Sequence, residues 1–181
     1  MLTITVPEGE IYNEETNEFV YTKETTLRLE HSLVSISKWE SKWKTPFLGK
    51  EKKTQAQVLD YIKCMTTTQN VPEHVFLCLS PKNFDEIGQY IEDPRTATWF
   101  SDNNNRPTSE VVTSELIYYW MTAFNIPFEC QKWHLNRLLT LIKVCSIKNQ
   151  SNEKKKMSRS AILRQNAALN KARRARSGSK G

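Results

Sequence analysis

The sequence predicts a mainly helical α+β protein, in which a small N-terminal antiparallel β hairpin or sheet packs on a helical domain. Residues 2–6 alternate apolar and hydroxyl side chains with the period of a β-strand. From Ser32 onward the apolar residues recur at helical spacing instead. This change of period marks where the β-rich segment gives way to the helical body.

Charge is distributed unevenly along the chain. The formal net charge is +6, yet residues 1–147 carry 15 Lys and Arg against 19 Asp and Glu. Residues 148–181 carry the other 11 Lys and Arg and a single acid, Glu153. The basic character therefore belongs to one tail on a mildly acidic body. We expect three parts, which are a β-rich segment 1–31, a helical body 32–147 and a basic, helical or disordered tail 148–181.

The first 30 residues have the pattern of extended chain. The alternating segment 2–6 stops at Pro7, and two further β-prone runs follow at 19–22 and 25–30. Lys23-Glu24 joins these two runs as a candidate hairpin turn. We expect a sheet of two or three strands that leans on helices or on another chain, because an isolated hairpin is marginally stable in water.

Three helices are predicted after the strands, each preceded by a residue that favours the N-cap position. The caps are Ser32, Thr54 and Ser80. Pro46 ends the first helix, and the third helix has Pro81 at its first position and ends near Asp93-Pro94. The apolar run 75–79 fits a strand or a buried helical turn, and periodicity does not decide between them.

The second half of the body is strongly helical after a polar loop at 101–107. Residues 113–124 and 128–147 predict two long helices that pack antiparallel as a hairpin. A polar linker at 148–156 should then lead to a last helix from Ser160 to about Arg176, with Ser158 as its cap.

The residues that metal sites and enzymes use are scattered. The three histidines, His31, His74 and His134, are isolated in sequence, and no two cysteines have metal-ligand spacing. Five glycines form neither a nucleophile elbow nor a phosphate-binding loop. The four cysteines, Cys64, Cys78, Cys130 and Cys145, are interpreted as buried thiols. We expect a protein that is not an enzyme and needs no metal or cofactor.

No apolar run approaches the ~20 residues that a membrane-spanning helix needs. The N-terminus also lacks the basic and then apolar pattern of an export signal. These observations predict a soluble intracellular protein without a membrane partner.

Aromatic side chains at helical spacing are the candidate partner-binding residues. The first predicted helix combines Ile36, Trp39, Trp43 and Phe47 with charged residues on its edges. A face of this kind fits either a packed core or a surface that binds a helix or a second copy of the chain. Core is favoured for Trp39, and both alternatives are kept for Trp43. The predicted helical hairpin adds two further candidates, Tyr119 and Trp133.

The basic tail has more than one interpretation. Its cations include Lys154, Lys155, Lys156, Arg173, Arg174 and Arg176. They could bind nucleic-acid phosphates without reading a sequence. The tail has no aromatic residue to stack on bases, which disfavours a single-strand platform. The last helix also has an apolar strip that fits a protein partner, and a solvated tail is the third alternative.

Several stretches together resemble a known family. They are LRLEHSLVSISKWE at 27–40, PFL at 46–48, TAT at 96–98, SELIYYWM at 114–121, IPFE at 126–129, WHLNRLLTLI at 133–142 and NAALN at 166–170, with Arg173 and Arg174. The chain resembles, over nearly its whole length, a family of short proteins of tailed bacteriophages that are encoded among the structural genes and look like tail assembly chaperones.

The resemblance implies a non-enzymatic assembly factor in the host cell cytoplasm. Such chaperones associate with the long helical tape-measure protein, keep it soluble and leave as the tail tube polymerises around it. No catalytic residue carries over from the family. Two alternatives stay open, namely a structural virion component (a connector, tail completion or baseplate subunit) and a DNA-contacting phage protein that acts through residues 148–181. Self-association is also left open.

Overall fold

The architecture comes from a computed structural model, which describes residues 1–13, 17–100, 111–156 and 159–177. The chain divides into two compact units, Met1–Ile142 and Lys143–Gly181. Helices predominate, and short antiparallel strands at the N-terminus pack against helices. The predicted mainly helical α+β class is therefore confirmed.

One antiparallel ribbon, called the N-terminal ribbon below, forms the start of the first unit. Its strands are β1 (Leu2–Val6), β2 (Gly9–Asn13), β3 (Glu18–Thr22) and β4 (Thr25–Leu29). β1 pairs with β4, and β2 pairs with β3. The two strand pairs share one register. Val6 pairs with Thr25, and Gly9, three residues later, pairs with Thr22, three residues earlier. Pro7 lies in the interruption, where it has no N–H to donate to the ladder.

The predicted hairpin between residues 19–22 and 25–30 is wrong. β3 continues into β4 along one side of the ribbon, and each strand pairs with a partner on the other side. The reason is burial, because pairing β1 with β4 puts four apolar side chains on one face. These side chains are Ile4, Val6, Leu27 and Leu29, all of which are buried. A local turn at Lys23-Glu24 would leave β1 without this partner.

Three helices follow the ribbon, as predicted. They are α1 (Leu33–Trp43), α2 (Gln55–Met65) and α3 (Pro81–Glu92). The N-caps Ser32, Thr54 and Ser80 are confirmed, since each side chain accepts the backbone N–H three residues later. The apolar run 75–79 lies mostly within a 3-10 helix, Glu73–Cys78, which buries Val75 and Phe76.

The second half of the first unit departs from the predicted pair of long helices. α4 (Ser114–Ala123) is capped by Thr113 as a helix should be, but residues 128–132 form a short 3-10 helix. α5 begins only at Leu135 and runs to Lys156. The interruption has a long-range cause, because the Leu135 N–H donates to the carbonyl of His31 at 2.8 Å and Ser32 forms a β-bridge with His134.

The predicted antiparallel packing of the two long helices is also wrong. α2, α4 and the second 3-10 helix (Phe128–Lys132) all pack against α1. α4 buries Ile117 and Met121 completely. The start of α5 buries Leu135 and Leu138 in the same core. α1 is therefore the central helix of the first unit.

The second unit contains the rest of α5 and the last helix, α6 (Arg159–Ser177). The predicted last helix is confirmed, whereas the predicted polar linker 148–156 is helical and belongs to α5. The predicted loop 101–107 and the predicted cap Ser158 lie outside the described residues. Within the part of the chain that the structure describes, no helix combines the length and the apolar character needed to cross a membrane.

Candidate functional site

The predicted aromatic face of α1 lies inside the protein. Ile36, Trp39 and Phe47 are buried, which corrects the prediction that they contact a partner. α2 packs against α1, and the Trp39 Nε1 donates to the carbonyl of Gln57 at 2.9 Å. The Trp39 and Phe47 rings meet edge to face with their centroids 5.2 Å apart. These three residues hold the core together and leave no open face.

Trp43 is half-buried at the end of α1 and has a structural hydrogen bond. Its Nε1 donates to Oδ2 of Asp60 at 2.9 Å, and the Lys42 ammonium pairs with Oδ1 of the same carboxylate. Burial disfavours the charged carboxylate, but the hydrogen bonds from Lys42 and Trp43 outweigh it and hold the pKa of Asp60 below its ordinary value. Trp43 thus ties α1 to α2.

The Glu40 carboxylate, which is buried, connects three elements of the first unit. Its Oε1 accepts the backbone N–H of Phe47 at 2.7 Å, and its Oε2 accepts the backbone N–H of Ser114 at 2.8 Å. Phe47 lies beyond the end of α1, and Ser114 is the first residue of α4. Glu40 also borders an open cleft of about 380 Å³. Both of its oxygens are already engaged by backbone, so its role is structural.

Two histidines and a tyrosine form a polar cluster within the core. His31 Nδ1 and the Tyr61 hydroxyl are hydrogen-bonded at 2.5 Å, and the His31 and His134 rings lie with their centroids 5.1 Å apart. Burial and the neighbouring His134 lower the pKa of His31 to about 4. Burial raises the pKa of Tyr61. At neutral pH the His31 and Tyr61 side chains are uncharged members of the core.

The open aromatic surface lies on α4 and on the second 3-10 helix. Tyr119 is 65% exposed and Phe128 is 55% exposed. The half-buried Tyr118, next to Tyr119 in α4, faces Phe128 with the ring centroids 6.3 Å apart, and its hydroxyl donates to Oε1 of Gln131 at 2.8 Å. We call Tyr118, Tyr119 and Phe128 the α4 aromatic surface. The sequence pattern predicts Tyr119 as a partner-binding residue but not Phe128, which it places within a long helix.

Trp133, the other predicted partner-binding residue, is half-buried just before α5. The Arg137 guanidinium lies over its ring at 4.1 Å from the centroid. Such a stacked pair keeps the indole in place while one face of the pair remains accessible. Of the six predicted partner-binding residues, therefore, Tyr119 is exposed and Trp43 and Trp133 are partly accessible.

The outer half of the N-terminal ribbon presents a second set of exposed aromatic side chains, which the sequence analysis missed. They are Tyr12, Phe19 and Tyr21. The Tyr12 and Phe19 rings contact each other with their centroids 5.2 Å apart. The run of residues 18–22 is the sequence signal that could have indicated them. Aromatic residues there alternate with Val20 and Thr22, so both faces of the strand carry large side chains.

The predicted basic residues all lie in helices of the second unit. Lys154, Lys155 and Lys156 are the last residues of α5, and Arg173, Arg174 and Arg176 lie near the end of α6. α6 carries six basic residues and no acid. Among the described residues there is no group of three or more His, Cys, Asp or Glu side chains that could hold a metal ion.

Comparisons with known proteins give no relative. No protein-family model matches the chain, and neither a curated protein nor a solved structure matches it.

Proposed function

We propose that this protein is a non-enzymatic tail assembly chaperone of a tailed bacteriophage, which binds the helical tape-measure protein in the host cell cytoplasm. The observation that carries the proposal is the exposure of the α4 aromatic surface, Tyr118, Tyr119 and Phe128. The large aromatic residues of α1, by contrast, are largely buried. The resemblance to phage tail assembly chaperones supports it.

The α4 aromatic surface suits a helical partner for reasons of spacing. α4 buries Ile117 and Met121 and exposes the side that carries Glu115 and Tyr119, which are one turn apart. A partner helix that lies along this side can place its own apolar residues beside the Tyr119 ring and against Phe128. Exposed tyrosine and phenylalanine are also common anchors of protein interfaces, because they bury a large area with few rotatable bonds.

Co-expression with the tape-measure protein of the same phage tests the proposal. We expect the wild-type chain to co-purify with the tape-measure protein and to keep it soluble. Tyr119→Ala and Phe128→Ala should each weaken the association by about tenfold or more, because anchor residues typically contribute 2 kcal/mol or more. Trp99→Ala is the matched control, since Trp99 is 91% exposed and lies outside the α4 aromatic surface. Failure of the wild-type chain to associate at all would overturn the proposal.

Mass spectrometry of purified phage particles separates the proposal from its structural alternative. A chaperone leaves before the tail is complete, so this chain should be absent from mature particles and present in lysates of infected cells. Its presence in particles at the level of known tail subunits would identify it as a connector, tail completion or baseplate protein instead.

A further inference from the structure

The outer half of the N-terminal ribbon has two different faces. Ile11 and Val20 alternate onto the face that packs against the first 3-10 helix (Glu73–Cys78), whereas the opposite face is open. This open face, called the ribbon outer face below, consists of Glu10, Tyr12, Phe19 and Tyr21, all of which are exposed. Phe19 is the most open of its rings, at 71% exposed. A pair of strands alone does not need such an aromatic cluster on its solvent side.

Two carboxylates lie beside the rings of the ribbon outer face. The Tyr21 hydroxyl donates to the Glu8 carboxylate at 2.6 Å, and Glu10 lies directly across from Tyr21 on the neighbouring strand. The hydrogen bond to Glu8 and the nearby Glu10 both raise the pKa of Tyr21, as expected in a negative environment. Glu18 alternates onto the opposite face with Val20, so Glu8 and Glu10 are the carboxylates beside this face, and Lys23 is the one base among the described residues 8–13 and 17–24. This surface therefore suits a basic partner with an apolar side.

Helix α6 of the same sequence has this character. Ile162 and Leu169 are two turns apart and share one side of the helix with Ala172, and both are exposed, at 40% and 52%. Arg173 and Arg176 border that side, and α6 contains no acid. Phosphate binding would need only the cations, whereas an exposed apolar side flanked by arginines favours a protein surface that is apolar in the middle and acidic at its edge.

The dimensions of the two surfaces agree. Each strand of the outer half covers four residue steps, which span about 14 Å. The part of α6 from Ile162 to Arg173 covers eleven residue steps, which span about 17 Å. When Ile162 and Leu169 lie over the aromatic rings, Arg173 therefore reaches the end of the ribbon outer face. Arginine can also stack on the exposed tyrosine rings.

We propose that the ribbon outer face binds helix α6 of a second copy of this chain, with Ile162 and Leu169 on Tyr12 and Phe19 and with Arg173 and Arg176 beside Glu8 and Glu10. The two surfaces are different, so the contact is heterologous and joins copies head to tail into a ring or a growing chain. Every copy of the chain carries one ribbon outer face and one helix α6, so the two surfaces are always present in equal numbers. A foreign partner would not guarantee this.

Sedimentation of the full-length chain over a range of concentrations tests this contact. The wild type should associate at micromolar concentration, and added salt should weaken the association because the arginine–carboxylate contacts are exposed. Glu10→Arg in the ribbon and the double change Arg173→Glu with Arg176→Glu in α6 should each weaken it by about tenfold or more. Phe19→Ser should do the same without changing charge.

Mixing the variants identifies the contact uniquely. The Phe19→Ser chain keeps its helix and the arginine double variant keeps its ribbon, so a mixture of the two should form a 1:1 dimer at concentrations where each variant alone is mostly monomeric. Matched controls elsewhere on the first unit, Asp85→Arg and the double change Lys50→Glu with Lys52→Glu, should associate like the wild type. Circular dichroism should show that all variants fold.

Three results would overturn the proposal. The first is a wild-type chain that stays monomeric at all concentrations, which includes the case where α6 docks within its own chain. The second is an association that survives Glu10→Arg and Phe19→Ser unchanged. The third is a chain that stays monomeric until DNA is added and loses DNA binding when Arg173 and Arg176 are replaced.

Discussion

His31 and His134 lie ring against ring in the core of the first unit, with their centroids 5.1 Å apart and their planes inclined by 65°. The backbone fixes this contact as well, since the residue after His134 donates its N–H to the carbonyl of His31. His134 Nε2 must donate to the carbonyl of Tyr90, because a carbonyl only accepts, at 2.9 Å. His31, buried beside a second imidazole, resists the addition of positive charge.

Acidification should therefore destabilise the protein through His31. The pKa of His31 is about 4 in the folded protein and 6.5 in an unperturbed chain. Between these values the unfolded chain binds a proton that the folded protein rejects, so the free energy of unfolding falls as the pH falls from about 6.5 to about 4, by up to about 3 kcal/mol. Urea unfolding at a series of pH values measures this slope. His31→Gln should flatten it, and His74→Gln should leave it unchanged; equal slopes in all three proteins would refute the assignment.

Removal of the Glu40 side chain should be strongly destabilising. Glu40→Ala leaves the buried N–H groups of Phe47 and Ser114 without their acceptors, at a cost of about 1–3 kcal/mol each. Glu40→Gln keeps one acceptor oxygen and should lose about half as much. Denaturant unfolding measures both, and Glu51→Ala serves as the control because Glu51 is an exposed glutamate in the next loop. A Glu40→Ala chain as stable as the control would show that water replaces the carboxylate.

The two tryptophans of α1 should respond differently to truncation. Trp39 is 1% exposed, so Trp39→Ala should cost about 3–5 kcal/mol through the cavity it leaves. Trp43 is half-buried and loses mainly its hydrogen bond to Asp60, so Trp43→Ala should cost about 1–2 kcal/mol. Unfolding curves with Trp99→Ala as reference test the ranking. Equal losses for Trp39→Ala and Trp43→Ala would contradict the core assignment.

Gene order gives an independent check of the proposed function. A very long open reading frame with continuous helical periodicity should lie immediately downstream of this gene, because a tape-measure protein is the expected client. Sequencing of the surrounding phage region decides the point. A neighbourhood of replication or lysis genes without such a reading frame would count against the chaperone proposal.

Local features of this fold could be predicted from the sequence. The predicted N-caps Ser32, Thr54 and Ser80 each lie where a serine or threonine precedes an amphipathic run, and the hydroxyl accepts a backbone N–H three residues later. Pro81 begins α3 for the same local reason. Such features need only a few neighbouring residues, so the pattern of the chain is sufficient.

Features that depend on distant residues could not be predicted in the same way. The end of the 3-10 helix before α5 follows from the bridge between Ser32 and His134, which no local periodicity indicates. The pairing of β1 with β4 likewise depends on which faces the helices cover. Spacing places both Trp39 and Tyr119 on helices, but it does not tell whether either side chain faces a neighbouring helix or a partner. Burial decides this, and it moves the candidate surface from α1 to α4.

The common register of the N-terminal ribbon has a consequence for the order of folding. All pairs of the ribbon share one register, so pairing can begin between β2 and β3, which are close in sequence, and extend to β1 and β4 while the remainder is still unfolded. The β-bridge between Ser32 and His134 closes a loop that contains α1 to α4. Closing this loop costs chain entropy, which is offset only after those helices have packed together. A newly made chain should therefore acquire its ribbon first and the docking of α5 last.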